Sequence, residues 1–238
     1  MSRALMVSAL LTASACATVA PMQTASVVEQ GRLRVGGQLS AAAFCGDVSQ
    51  GPILGLTRCT EYPDGIPLPE VRANARYGLG SRFDVGLSAQ AQGQVLAPER
   101  VFQFGLTTDL KGELLRLDQG RVTHVVSTGL LGGAALSGRF GLPLWAQLEW
   151  GVPVFYGLQL ARWELVLGLS LSQRVLVSRV GLEPVLPAVP SVRAGVSLGV
   201  FRRDPASWAL QLSYLVDPAR ASTGALQLQF GWFFDLRP

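Results

Sequence analysis

The feature that most constrains this chain is a period of two that recurs from residue 32 to its end. Val71, Ala73, Ala75, Tyr77 and Leu79 share one parity, and Arg72, Asn74 and Arg76 the other. Phe83, Val85, Leu87, Ala89 and Ala91 then alternate with Asp84, Gly86, Ser88, Gln90 and Gln92. The pattern returns over 102–111, 163–172, 208–214 and 226–235. Successive side chains of an extended chain point to opposite sides, so each run is a two-faced strand. Weaker runs complete ten strands, over roughly 32–44, 70–79, 82–93, 100–113, 121–132, 142–153, 162–173, 191–202, 206–216 and 223–235. The segment 174–190 has room for a further strand segment. Most of these strands exceed the five or six residues usual in globular sheets and match the roughly 9–11 of a tilted bilayer crossing.

Composition decides which face meets what. Of the 238 residues, 49% are hydrophobic and 15% charged, against about 25% charged in ordinary soluble domains. That apolarity excludes disorder. After residue 20 no apolar run approaches the roughly 18 residues of a membrane helix, which excludes a helical bundle in lipid. The polar face is mostly Gly, Ser, Gln, Thr and Ala, whereas a water-facing surface is about 25–35% charged. It suits a confined lumen. The other face is rich in Leu and Val, with Tyr77, Phe83, Trp150, Trp163, Trp208, Trp232 and Phe234 near strand ends, like the aromatic girdles of a lipid-embedded barrel. In lipid every backbone group must be paired, so the sheet must close. The fold expected over 32–238 is all-β: a closed antiparallel up-and-down transmembrane β-barrel of about ten strands, with eight or twelve as alternatives. A soluble sandwich or lipocalin-like barrel is the competing architecture.

Connection lengths support this topology. With the start of the first strand on the periplasmic side, the outward connections 45–69 and 174–190 are long. The turns at 80–81, Asp118–Gly120 and Arg203–Pro205 are short, and a connection is expected at 154–161. Membrane barrels pair short periplasmic turns with longer external loops.

Residues 1–15 have the form of a signal peptide: Arg3 supplies the charge, and Ala4 to Ala15 a short apolar region. Ala13-Ser14-Ala15 fits ordinary cleavage. The same residues before Cys16 also resemble a bacterial lipobox, with Ala13 where Leu is usual, and imply a diacylated Cys16. Residues 16–31 then form an N-terminal linker. With Cys16 lipidated, Cys45 and Cys59 remain as a disulfide pair. Such a short ring is worth about 3 kcal/mol in the chain-entropy model.

The segment 75–87, ARYGLGSRFDVGL, resembles the recurrent hairpin of bacterial outer-membrane β-barrel proteins. The aromatic, alternating stretch Leu226–Leu236 resembles the C-terminal signal read by the barrel assembly machinery, although the chain ends Asp235-Leu236-Arg237-Pro238 rather than in Phe. The resemblance implies a bacterial outer-membrane location, a lipid surround and the assembly machinery as insertion partner.

Chemistry-bearing residues are sparse. Some barrels of this class are enzymes, most with a histidine near the outer end. The single histidine, His124, lies instead near the periplasmic turn, and Thr123 and Ser127 make no triad spacing with it. A structural or interfacial histidine is expected, and no enzyme. Metal spacings, phosphate loops and dense basic patches are absent from the sequence, so no cofactor, metal or nucleic acid is expected. Arg72, Arg76, Asp84, Asp109, Lys111, Glu149, Glu164 and Arg193 fall on the polar parity. They are expected to pair across the lumen, because a lone buried charge is strongly unfavourable. The function expected is a structural or interaction barrel with surface loops as contact sites. A narrow pore for small solutes and a barrel hydrolase are the alternatives.

Overall fold

The computed structural model describes residues 22–46, 58–60, 68–93, 101–139, 144–180, 191–203, 206–216 and 224–236. The expected signal peptide, Cys16 and most of the long connections lie outside them. Eleven strands are described: β1 (Leu33–Gly46), β2 (Arg58–Thr60), β3 (Leu68–Gly78), β4 (Phe83–Gly93), β5 (Val101–Gln119), β6 (Val122–Arg139), β7 (Leu144–Leu160), β8 (Trp163–Val180), β9 (Ser191–Arg202), β10 (Ala206–Val216) and β11 (Gly224–Leu236). Ten of them form the wall. β2 only extends the end of β1, with Cys45 opposite Cys59 in the backbone register.

Each wall strand pairs antiparallel with its neighbour, and β11 returns to β1. That seam runs in unbroken register from Leu33↔Leu236 to Cys45↔Gly224. The closed ten-strand up-and-down barrel implied by the alternation, and by the resemblance to outer-membrane barrels, is the architecture observed. Closure leaves no unpaired edge, which is what an apolar solvent demands.

The barrel is polar inside and apolar outside. Arg72, Lys111, Gln38, Gln227, Gln229 and Glu164 are among the most completely buried side chains. Leu39, Leu106, Leu130, Leu169 and Leu198 are exposed, Leu130 at 65%. All seven aromatic residues expected at strand ends are on the outer face or part-exposed. A soluble barrel has the opposite polarity, so the outer face is a lipid-facing surface.

Strands β5 to β8 run longer than the alternation suggested, at 17 to 19 residues. Residues 154–160, expected as a connection, belong to β7, and the turn is only Ala161–Arg162. The expected strand segment within 174–190 is the end of β8, which continues to Val180. A bulge between Glu113 and Leu115 explains part of the difference. It inserts one residue and inverts parity, so Leu114, Leu115 and Leu117 are all exposed and the period-two signal fails there.

Candidate functional site

One end of the barrel carries the short turns, and there the chain preceding β1 folds into the lumen. Residues 22–28 sit inside the wall, with Met22, Gln23, Ala25, Ser26 and Val28 buried. This is the described part of the expected linker. The reversal into β1 is made at Glu29–Arg32. Arg32 N–H donates to Glu29 O at 3.0 Å, and Gly31 N–H to Gly78 O at 3.0 Å. Gly31 has φ of 73°, a conformation that costs glycine little and other residues more.

The segment has no regular secondary structure, so its backbone groups need other partners. The wall supplies charged ones. Glu164 on β8 accepts from Ala25 N–H at 2.9 Å and Ser26 N–H at 3.2 Å. Its second oxygen accepts from Ser26 Oγ at 3.0 Å. On the facing wall Asp84 accepts from Val28 N–H at 2.8 Å. Lys111 Nζ donates to the carbonyls of Thr24 and Ser26 at 3.0 and 2.8 Å. Gln159 donates to Ser26 Oγ and accepts from Arg203 at 2.7 Å. The segment is thus a plug bonded to both sides of the cylinder.

Behind it is a compensated ion network. Arg76 donates to Asp84 at 2.5 Å and to both oxygens of Asp109 at 2.6 and 3.1 Å. Lys111 Nζ lies 3.4 Å from Asp84. Two acids and two bases neutralise one another in a place that water hardly reaches, so each covers the desolvation of its neighbour. An apolar cluster seals the remainder: Met22 and Ala25 of the plug pack with Val125, Phe155, Val166 and Phe233 of the wall. Glycines make the berth. A Cβ on Gly157 would lie 2.6 Å from Ala25 Cβ, and one on Gly78 would lie 2.6 Å from Val28 O.

The eight charged residues expected in the lumen are all buried there. The structure brings five of them, Arg76, Asp84, Asp109, Lys111 and Glu164, around the plug. Arg72 belongs to a separate group, 2.7 Å from Glu70 and 2.7 Å from Gln90. Glu149 faces Arg174 at 3.5 Å. Arg193 lies on β9 on the lumenal parity. Glu70, Glu113, Arg174 and Arg203 were missed by sequence reasoning, although Glu70 and Arg174 share the lumenal parity of Arg72 and Ser172. Gln38, Gln90, Gln92, Gln103, Gln227 and Gln229 form a further lumenal belt. His124 lies on the outward parity beside buried Val125. Its Nδ1 is 2.8 Å from the Tyr156 hydroxyl, away from the lumen. Among the described residues no group of three or more His, Cys, Asp or Glu could hold a metal.

No family model matches the chain, and no curated protein does. Solved structures of similar fold are outer-membrane barrels. The Escherichia coli outer-membrane protease OmpT aligns at TM-score 0.39 and 8% identity, over 86% of this chain and 97% of that one. Neisserial surface protein A aligns at 0.40 and 10%, over 86% and 99%. An outer-membrane channel from Pseudomonas putida F1 aligns at 0.42 and 10%, over 92% and 100%. The likeness is one of architecture alone.

Proposed function

We propose that the protein is a closed-lumen barrel of the bacterial outer membrane, of structural or interaction type, whose outer loops are its contact surface. The plug carries this reading. A lumen crossed by residues 22–28, bonded to Glu164 on one side and to Asp84 and Lys111 on the other, has no room for a wide aqueous path. The turn end, where the strand ends next to both termini lie, faces the periplasm. Bilayer lipid surrounds the wall, and the barrel assembly machinery inserts it.

Planar-bilayer recording of the purified full chain tests the reading. The expected result is no steady conductance, and a stable open channel overturns it. A second reading, a narrow solute pore, rests on a water-sized recess along β8–β10, whose polar lining is Ser170, Ser197 and Ser213 with Gly168 and Gly195 beside them. The same recording separates the two.

We read the chain as non-enzymatic, because its histidine faces lipid beside Tyr156. Hydrolysis of phospholipid or peptide that His124→Ala abolishes would reverse this. A disulfide between Cys45 and Cys59 is supported by their direct opposition in the register. Opposed antiparallel residues have Cα atoms about 4.5–5.5 Å apart, inside the range a disulfide spans. Diacylation of Cys16 rests on the lipobox resemblance, and the mass of the mature N-terminal peptide tests it.

A further inference from the structure

Followed backward from β1, the plug climbs away from the turn end. Val28 is bonded at the mouth, to Asp84, the second residue of β4. Met22 lies deeper. Its carbonyl accepts from Gln38, the sixth residue of β1, at 3.4 Å, and a Cβ on Gly231 would meet its sulfur at 2.9 Å. The chain therefore arrives at Met22 from within the barrel, on the outer side of the charged groups that bind Ala25 to Val28.

The lumen beyond Met22 is lined by carboxamides with atoms to spare. Among the described residues, Gln38 Oε1 and Gln229 Oε1 accept from nothing, and Gln92 Nε2 and Gln103 Nε2 donate to nothing. Each of these side chains is at most 7% exposed, and a buried polar atom left unsatisfied is costly. Gln92 and Gln103 are register partners near the outer ends of β4 and β5. Charge at this depth is already balanced, with Arg72 held by Glu70 and Gln90, and Arg174 by Glu149. The complement of this lining is a neutral chain that offers donors and acceptors in turn, as a peptide backbone does. Gln38 already binds one at the Met22 carbonyl.

We propose that residues 16–21, CATVAP, continue up the lumen in extended form, bound by these carboxamides, and bring Cys16 to the outer mouth of the barrel rather than to the periplasm. The sequence suits the berth. It carries no charged side chain and none larger than valine. Pro21 disfavours the helical region at Ala20, and β-branched Thr18 and Val19 favour extension. Six extended residues reach about 20 Å. That matches the stretch of β1 from Gln38 to Ala43, beside the start of β3 at Ala42↔Leu68. Carbonyls of the segment accept from Gln92 and Gln103, and its N–H groups donate to Gln38 and Gln229. Cys16, with or without acylation, is thereby delivered to the cell surface.

The inference deepens the closed-lumen reading and rests on it, and the two fail differently. A steady conductance sinks that reading, whereas this one turns on where residue 18 lies. In the full chain, with Cys45 and Cys59 replaced by serine, Thr18→Cys is combined with Gln103→Cys or Gln227→Cys, on the well-separated strands β5 and β11, or with Asp118→Cys near the β5–β6 turn. Disulfides formed under a mild oxidant are identified by mass spectrometry. Linkage of position 18 to 103 or 227 is expected, several-fold above linkage to 118. Linkage to neither, or mainly to 118, overturns the proposal. Each variant should keep the heat-dependent gel shift of a closed barrel, so loss of folding is scored separately. A second measurement leaves the lumenal side chains untouched: an epitope inserted after residue 16 should bind antibody on intact cells. Binding only after the outer membrane is permeabilised overturns the proposal.

Discussion

Ser26 gives both its backbone N–H and its hydroxyl to Glu164, one to each carboxylate oxygen, at 3.2 and 3.0 Å. The two residues are 138 positions apart in the chain. Glu164→Ala removes this acceptor pair and also orphans Ala25 N–H. Hydrogen bonds to a charged group are worth about 1.5–3 kcal/mol each, so the plug should detach far more often. A cysteine at Thr24, with the native cysteines replaced, should then react at least about tenfold faster with a membrane-impermeant thiol reagent.

Gly78 tests the berth rather than the bonds. A methyl there would lie 2.6 Å from Val28 O and press on the carbonyl of Glu29. These are backbone atoms that cannot rotate away. Gly78→Ala should raise reactivity at the Thr24→Cys reporter while the barrel still migrates as a closed species on unheated gels. Unchanged reactivity would mean that the plug is held without this close approach.

Arg76 should matter most to the wall itself. Its loss leaves Asp84 and Asp109 buried with only Lys111 to balance them. Breaking such a network from one side costs about 3–5 kcal/mol. Arg76→Met should therefore lower the temperature at which the gel-shifted form disappears. Adding Asp109→Asn to it should recover part of the loss.

Arg34 offers a contrast. Its bidentate pair with Asp235 across the β1–β11 seam, at 2.6 and 2.9 Å, lies at the part-exposed rim. Exposed pairs contribute about 0.2–1 kcal/mol. Arg34→Ala should shift the same temperature far less than Arg76→Met, because the backbone register already seals the seam.

Mass measurement with and without reductant checks the cysteine pair. Cys45 and Cys59 should show the loss of two thiol hydrogens under non-reducing conditions, and reduction should leave the gel-shifted barrel intact because β2 stands outside the wall.

What the sequence made legible was whatever repeats. The period of two located all ten wall strands and placed Arg76, Asp84, Lys111 and Glu164 on the inner face. It failed where parity breaks, at the Glu113–Leu115 bulge, and so ended β5 early. The plug has no period at all. Met22 to Val28 is a stretch of mixed small and polar residues whose charged partners are 56 to 139 positions away. No local pattern announces such a segment. The one available sign was indirect: inward-facing Glu164 stands on a part of the wall remote from the cross-strand neighbours Asp84 and Lys111, and buried charges need something to bind.

The berth also favours one order of events in biogenesis. The occupant precedes the first strand, while the cylinder is completed only when that strand meets the last one, from Leu33↔Leu236 to Cys45↔Gly224. A ribbon still open along that line can curl around its own leading segment. Once shut, it admits that segment only through an end, past Asp84, Lys111 and Glu164 already desolvated and without their partners. Wrapping before sealing avoids that barrier.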